Sequence, residues 1–314
     1  MRAILFPGQG AQHVGMGKSF HDASKAAREL FERAGAALGV PLAKLCFEGP
    51  ESELEKTDVC QPAIFTCSAA IVAALEERGA LKRADFAFAA GLSLGEYTAL
   101  WFAGALRFED AVRVVRERGR GMQAASEARP SGMLALLGAN EELARAVCAK
   151  RAEGDVLTPA NFLCPGNIAI SGSKAALARV TANARADGVR KAIPLKVAGA
   201  FHSTLMEPGL PLLDAALRAA KLAAPRIPVI SNVTSAAHGG PADVAATLLR
   251  QVTSPVLWEK SMRELIARGV TDFFEPGPGA VLTGLLGKID ANARCRNVQK
   301  LEDLERAAAE GASG

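Results

Sequence analysis

Histidine is scarce in this chain: four residues in 314, namely His13, His21, His202 and His238. Any chemistry that needs an imidazole falls to one of these. Aromatic residues make up only 5%, with a single tyrosine and two tryptophans. No basic stripe interleaved with aromatics is visible, which argues against nucleic acid as a partner. Net charge is +4 at pH 7, which allows a mild preference for an acidic partner or an anionic substrate. No run approaches the roughly 18 apolar residues of a membrane span, so no membrane is expected. The start, Met1-Arg2-Ala3-Ile4-Leu5-Phe6-Pro7, lacks the long apolar region of a signal peptide. The six cysteines, Cys46, Cys60, Cys67, Cys148, Cys164 and Cys295, form no C-x-x-C pair and have no histidine at metal spacing. They read as reduced, mostly buried thiols, so a cytoplasmic protein without a metal is expected.

What is present is an ordinary globular composition, 49% hydrophobic and 22% charged, able to bury a sizeable core. The length suits one large domain, or one with a smaller companion. The most informative stretch is Phe86-Ala87-Phe88-Ala89-Ala90-Gly91-Leu92-Ser93-Leu94-Gly95-Glu96. A short apolar run breaks at a Gly-x-Ser-x-Gly pentapeptide, and a helical pattern follows with Leu94, Tyr97, Leu100 or Trp101 and Gly104 on one face. Strand, sharp turn and helix is the context that thrusts a serine out as a nucleophile. The bland alternative is a strand-to-helix turn with a capping serine. A serine hydroxyl is a weak nucleophile, so the functional reading also requires a base and an oxyanion hole.

Along the chain, a strand from Arg2 to Phe6 runs into the glycine-rich turn Pro7-Gly8-Gln9-Gly10-Ala11-Gln12. Helical pattern covers Ser19 to Leu38, Gln61 to Arg78 and Phe108 to Glu127, with a short acidic helix after Gly49-Pro50. The texture changes at Arg129-Pro130-Ser131-Gly132. Strands are predicted at Met133 to Leu137, Asp155 to Leu163, Asn167 to Ser171 and Arg190 to Val197, with helices at Glu141 to Arg151 and Lys174 to Ala186. That β-α-β-β-α-β order is the split-βαβ pattern of a ferredoxin-like module. The expected organisation is an α/β core of residues 1–129 and 198–314 around a mostly parallel sheet, interrupted by an insert at 130–197. The alternative is that these strands extend the main sheet. Further strands are expected at Ile227 to Asn232 and Thr271 to Glu275, and helix at Val244 to Leu249; Gly311-Ala312-Ser313-Gly314 reads as a frayed end.

Among the histidines, His13 and His21 sit near the opening loop, and His238 lies in what reads as a surface turn, Ala237-His238-Gly239-Gly240. His202, in Gly199-Ala200-Phe201-His202-Ser203, directly follows the insert and is the candidate base; the alternative is a satisfied histidine at a helix start. No carboxylate has an obvious claim as third member of a triad, which argues against a plain esterase. A neutral acceptor such as a backbone carbonyl can also hold the imidazole tautomer. One oxyanion-hole donor is the N–H of Leu94, and the other is expected from Gly8-Gln9-Gly10. That loop lacks the lysine and spacing of a phosphate cradle. In Arg116-Glu117-Arg118-Gly119-Arg120, periodicity alone does not pick which arginine turns inward, and a solvated helix face is the plain alternative.

With these motifs assembled, the chain resembles the malonyl-CoA–acyl carrier protein transacylases, relatives of the acyltransferase domains of polyketide synthases. The resemblance runs from about residue 3 to 300. It rests on Phe6-Pro7-Gly8-Gln9-Gly10, Gln61-Pro62-Ala63, Gly91-Leu92-Ser93-Leu94-Gly95-Glu96-Tyr97, Arg118-Gly119, Pro159-Ala160-Asn161-Phe162, Gly199-Ala200-Phe201-His202-Ser203, Gln251 with Pro255-Val256, and Glu275-Pro276-Gly277-Pro278. It implies a hydrolase-like core with the ferredoxin-like insert. Ser93 is implied as the acyl-accepting nucleophile and His202 as its base, oriented by the backbone carbonyl of Gln251. The N–H groups of Gln9 and Leu94 would form the oxyanion hole. Arg118 would bind the malonyl carboxylate, which a planar guanidinium matches bidentately, and Asn161 would line the cleft. No metal or bound cofactor is implied: malonyl-CoA and coenzyme A are substrate and product. The implied partner is acyl carrier protein, an acidic protein that Arg116, Arg120, Arg190, Lys191 and Lys196 could receive, and a monomer is expected.

The family usually carries histidine directly before the nucleophile, where this chain has Leu92. That histidine shapes the malonyl pocket rather than acting as base, so the chemistry is expected to persist. Phe201 beside His202 resembles the malonyl-type version, whereas methylmalonyl-type acyltransferases usually carry serine there. The rival readings are a trans-acting polyketide synthase acyltransferase, a serine thioesterase or esterase, and a silent carrier-binding scaffold.

Overall fold

The computed structural model describes residues 1–303; the closing Gly311-Ala312-Ser313-Gly314 lie outside them. The strands are β1 (Arg2–Phe6), β2 (Phe88–Gly91), β3 (Ser131–Leu137), β4 (Leu157–Cys164), β5 (Asn167–Ser173), β6 (Lys191–Pro194), β7 (Val229–Ile230), β8 (Asp272–Pro276) and β9 (Arg294–Val298). Among the described residues they form two sheets. The first is parallel throughout, in the order β7-β2-β1-β8-β9. The second is antiparallel, in the order β4-β5-β3-β6, and stays within residues 131–194. The insert strands therefore build their own sheet, with helices Glu141–Ala152 and Lys174–Asn183 between them, and do not extend the main one.

The parallel sheet is buried on both faces, as helical crossovers require. Alternation along β1 decides which face each residue serves. Ile4 and Phe6 join the large core around helices Lys25–Leu38, Thr57–Glu77 and Phe108–Ala128, while Ala3 and Leu5 pack against Trp258, Met262 and Leu286 on the other side. A separate core under the insert joins Leu134, Leu136, Ile168 and Ile170 to Val147 and Val180. Helix Thr57–Glu77 corrects the expectation that no segment matches a membrane span. By length and composition it does, at 21 residues and mean hydropathy 1.5, but 83% of its most apolar window is buried inside the fold. It is a central core helix, apolar on nearly every side because other elements surround it.

Other boundaries moved for local reasons. The helix expected from Ser19 to Leu38 is two, Lys18–Ala23 and Lys25–Leu38, because Ser24 adopts extended backbone and accepts the N–H of Ala27 as an N-cap. The strand expected from Ile227 to Asn232 shrinks to β7 because its next N–H groups go elsewhere, Ser231 to the carbonyl of Ala236 and Asn232 to Glu96. Edge strand β9 reads Arg-Cys-Arg-Asn-Val, too charged to show an apolar pattern, which is how edge strands avoid mispairing.

Glu275, at the end of β8, is fully buried and accepts from the N–H of Leu282 at 3.0 Å and of Thr283 at 2.9 Å, and from the Thr283 hydroxyl at 2.6 Å. It thereby ties helix Val281–Ile289 back onto the sheet. Burial pushes its carboxyl above the ordinary range while these donors pull it back. Glu275→Ala leaves several donors without an acceptor and should lower stability by about 2 kcal/mol, read as a reduced urea midpoint at unchanged slope.

Candidate active site

β2 ends in the pentapeptide, and the chain reverses into helix Gly95–Phe102. Both ends of the turn need glycine. A Cβ on Gly95 would lie 2.0 Å from the carbonyl oxygen of Phe6, and one on Gly91 would lie 2.0 Å from the Gly95 carbonyl group. So tight a reversal forces Ser93 into the left-handed region, at φ 52°, a cost of about 1–3 kcal/mol that the surroundings must hold in place. They grip both sides of the serine. Its N–H donates to Asn232 Oδ1 at 2.6 Å, and its carbonyl accepts from Gln251 Nε2 at 2.9 Å.

His202 comes from the segment that leaves the insert and also has positive φ, 59°. The insert holds that segment: Ser131 Oγ accepts the N–H of Ala200, and the Ser171 hydroxyl donates to the carbonyl of Phe201. His202 is 3% exposed. Its Nδ1 faces the backbone carbonyl of Gln251 at 2.9 Å, and its Nε2 faces Ser93 Oγ at 2.8 Å. A carbonyl can only accept, so Nδ1 carries the proton and Nε2 presents its lone pair to the serine hydroxyl. Seryl and imidazole groups 109 residues apart are thus brought into the geometry that a nucleophile–base pair requires.

Arg118 is the arginine that turns inward, 2% exposed on helix Phe108–Ala128. Its Nη1 donates to Gln61 Oε1 at 2.8 Å, its Nη2 to Ser93 Oγ at 2.9 Å and to Gln251 Oε1 at 3.0 Å, and its guanidinium lies over the Tyr97 ring. The Nε is buried and unpartnered. Arg116 and Arg120 point away from the dyad and pair with Asp58 and Glu117. Arg190, Lys191 and Lys196 are exposed, with no carboxylate partner among the described residues.

The opening loop meets the elbow directly. A Cβ on Gly8 would sit 2.4 Å from the Leu92 carbonyl oxygen, and the Leu92 N–H bonds to Phe6 at 3.1 Å. Among the described residues the N–H groups of Gln9 and Leu94 have no hydrogen-bond partner. Asn161 lies on β4 beside Val256, five positions after Gln251, and its buried Oδ1 is unpartnered. The structure gives it no contact with the dyad.

A match to the acyl transferase domain model covers residues 4–296. The chain belongs to the acyl transferase family. It is 42% identical over 306 residues, 97% of its own length and 95% of the relative's, to the malonyl CoA-acyl carrier protein transacylase of Bacillus subtilis strain 168. The malonyl CoA-acyl carrier protein transacylase of Clostridium perfringens superposes with a TM-score of 0.93 at 36% identity, covering 99% of this chain and 97% of that one. A malonyl-transacylase solved in complex with its type II polyketide synthase acyl-carrier protein matches with a TM-score of 0.93 at 34% identity, covering 98% and 99%.

In this acyl transferase Leu92 is partly buried and packs against the smaller core that holds Ala90, Ile230 and Val256, and Phe201 is buried in the main core. Two functional neighbours went unrecognised in the sequence, Glu96 and Asn232. Glu96 directly follows the pentapeptide, and its Oε2 accepts from Asn232 N–H at 3.0 Å and Gln251 Nε2 at 2.7 Å. The position after Gly95 was the one available signal; nothing local marks Asn232. His238 corrects the surface-turn reading. Its side chain is fully buried, with Nε2 2.7 Å from Glu96 Oε1, because the turn folds inward over that carboxylate.

Burial, and then the Arg118 charge, lower the His202 pKa from 6.5 to about 4. Since the folded value lies below the unfolded one, the unfolded chain takes up this proton first. Stability from this group is intact above about pH 6.5 and is lost progressively toward about pH 4. Labelling of Ser93 by a neutral phosphonofluoridate should hold its rate well below pH 6.5 and fall near pH 4. Arg118→Met should move that midpoint upward; a wild-type midpoint at the ordinary histidine value would remove the electrostatic account.

Proposed function

We propose that this acyl transferase moves the malonyl group from malonyl-CoA to the phosphopantetheine thiol of acyl carrier protein, through an ester on Ser93. The single observation that carries this reading is the buried Arg118 guanidinium 2.9 Å from the Ser93 hydroxyl. An acyl group placed on that oxygen would have its far end beside a fixed positive charge, which suits an acid-ended chain and not a neutral one. Relatives named as malonyl transacylases, and the carrier complex among them, support the same substrate and partner.

In the first half-reaction Ser93 Oγ attacks the thioester carbonyl and gives its proton to His202 Nε2. Charge developing on the carbonyl oxygen is met by the N–H groups of Gln9 and Leu94. The C–S bond breaks, and His202 returns the proton to the departing coenzyme A thiolate. In the second half the carrier thiol gives its proton to His202 and attacks the ester carbonyl, the C–O bond to Ser93 breaks, and His202 returns the proton to Ser93 Oγ, so the kinetics are ping-pong. The malonyl carboxylate would also offset the Arg118 charge that depresses His202, making the base stronger when the correct substrate is bound. No step calls for a metal or bound cofactor. Arg190, Lys191 and Lys196 remain available to an acidic carrier, whereas Arg116 and Arg120 are engaged with their own acids. Six unbridged cysteines suit a reducing, cytoplasmic setting, and a monomer is the proposed state. A polyketide carrier is the second reading, favoured by the type II complex; relative rates on a panel of carriers separate the two.

Intact mass after incubation with mixed acyl-CoA thioesters should show a malonyl adduct, absent in Ser93→Ala. His202→Ala should cost about 10²–10⁴ in loading rate. Arg118→Ala should lose malonyl loading and gain acetyl loading in relative terms; equal loss of both would make Arg118 structural.

A further inference from the structure

Glu96 touches neither the serine hydroxyl nor the imidazole, yet every residue that places them leads back to it. It is 0% exposed. One oxygen, Oε2, receives the Asn232 N–H at 3.0 Å and the Gln251 amide at 2.7 Å, and the other faces His238 at 2.7 Å. Asn232 and Gln251 are the two residues that hold the peptide groups on either side of strained Ser93. Asn232 also donates its amide to the carbonyl of Gly91 at 2.8 Å, fixing the start of the turn. Gln251 in addition supplies the carbonyl that orients His202. A single carboxylate oxygen therefore joins the clamp on the nucleophile to the acceptor that sets the base.

The chemistry of that position requires a carboxylate. Two donors converge on Oε2, and His238 Nε2 is a third in the tautomer that carries its proton there; an ionised carboxylate accepts at both oxygens while offering no proton of its own. A glutamine there accepts at one oxygen and turns an NH2 toward one of the three donors. Burying a carboxylate is costly unless its lone pairs are satisfied, and here all the satisfying groups belong to the segments that carry the dyad or its supports. Asp243 is the other acid near His238, at 3.9 Å from Nδ1, and it is exposed.

We propose that Glu96 is a positioning residue for acyl transfer, which locks the Ser93 turn and the Gln251 carbonyl in one register so that hydroxyl and imidazole stay within proton-transfer distance. This rests on the reading of Ser93 and His202 as nucleophile and base. It acts more on the rate of acylation than on substrate affinity, because Glu96 makes no direct hydrogen bond to Arg118 and reaches it through Gln251, whose amide oxygen accepts from the guanidinium.

The test measures malonyl-ester formation from malonyl-CoA, resolved into rate constant and KM, beside labelling of Ser93 by a neutral phosphonofluoridate. Glu96→Gln should lower the rate constant about tenfold and Glu96→Leu about a hundredfold, the scale expected when a reacting group is misplaced by about 1 Å. KM should stay within about twofold, the signature of an interaction used in the transition state. Phosphonofluoridate labelling should fall in parallel, in protein that still melts cooperatively. A folded Glu96→Gln and Glu96→Leu pair with wild-type rate constants, or a rise in KM at unchanged rate, overturns the proposal. Should the Glu96 variants fail to fold, Asn232→Ser breaks the same relay one link further on. Folded Asn232→Ser with wild-type labelling and loading overturns the proposal equally. A wild-type protein that takes the phosphonofluoridate but not malonyl would overturn the substrate reading alone, leaving the labelling arm to decide on Glu96.

Discussion

A 2.8 Å contact between Ser93 Oγ and His202 Nε2 joins two residues whose backbones both lie in the left-handed region, at φ 52° and 59°. Neither conformation is favoured for a side-chain-bearing residue, and neither would survive without over-determination by its surroundings. The rest of the architecture supplies it. A parallel sheet ends in a turn so tight that Gly91 and Gly95 admit no Cβ. The antiparallel insert contributes Ser131 and Ser171, whose hydroxyls anchor the histidine's segment. The insert thus has a structural reason to interrupt the core where it does, since the chain leaving it must deliver an imidazole.

Gln251 concentrates three tasks in one residue. Its carbonyl sets the tautomer of His202, its amide NH2 holds the serine carbonyl and Glu96, and its amide oxygen accepts from Arg118. Using a backbone carbonyl in place of a triad acid keeps a negative charge away from the imidazole. The nearby fixed charge is instead positive, and it adds to burial in lowering the His202 pKa.

Much of this was legible from residue order. The Gly-x-Ser-x-Gly break between an apolar run and a helical pattern has one common geometry, so strand, turn and helix followed from sequence. The β-α-β-β-α-β texture gave the insert, because each period is local. Where the reading slipped, the deciding partner lay far away in sequence. The turn holding His238 looks exposed from its glycines, yet it covers Glu96 from 142 positions off. Helix Thr57–Glu77 has the apolarity of a bilayer span and is instead wrapped by its own fold. The β9 strand has no apolar pattern because its edge position needs charge.

Sequence by itself determined the turn that carries Ser93, the identity of the candidate base by sheer scarcity of histidine, and the layered α/β plan. These depend on short-range sterics and periodic burial, which neighbouring residues dictate. Only the tertiary structure decided which arginine of Arg116, Arg118 and Arg120 faces the serine, and that Asn232 and Glu96 belong to the site at all. Those assignments depend on groups 25 to 139 positions apart meeting in a dry interior, where a hydrogen bond's partner is chosen by packing and not by proximity along the chain.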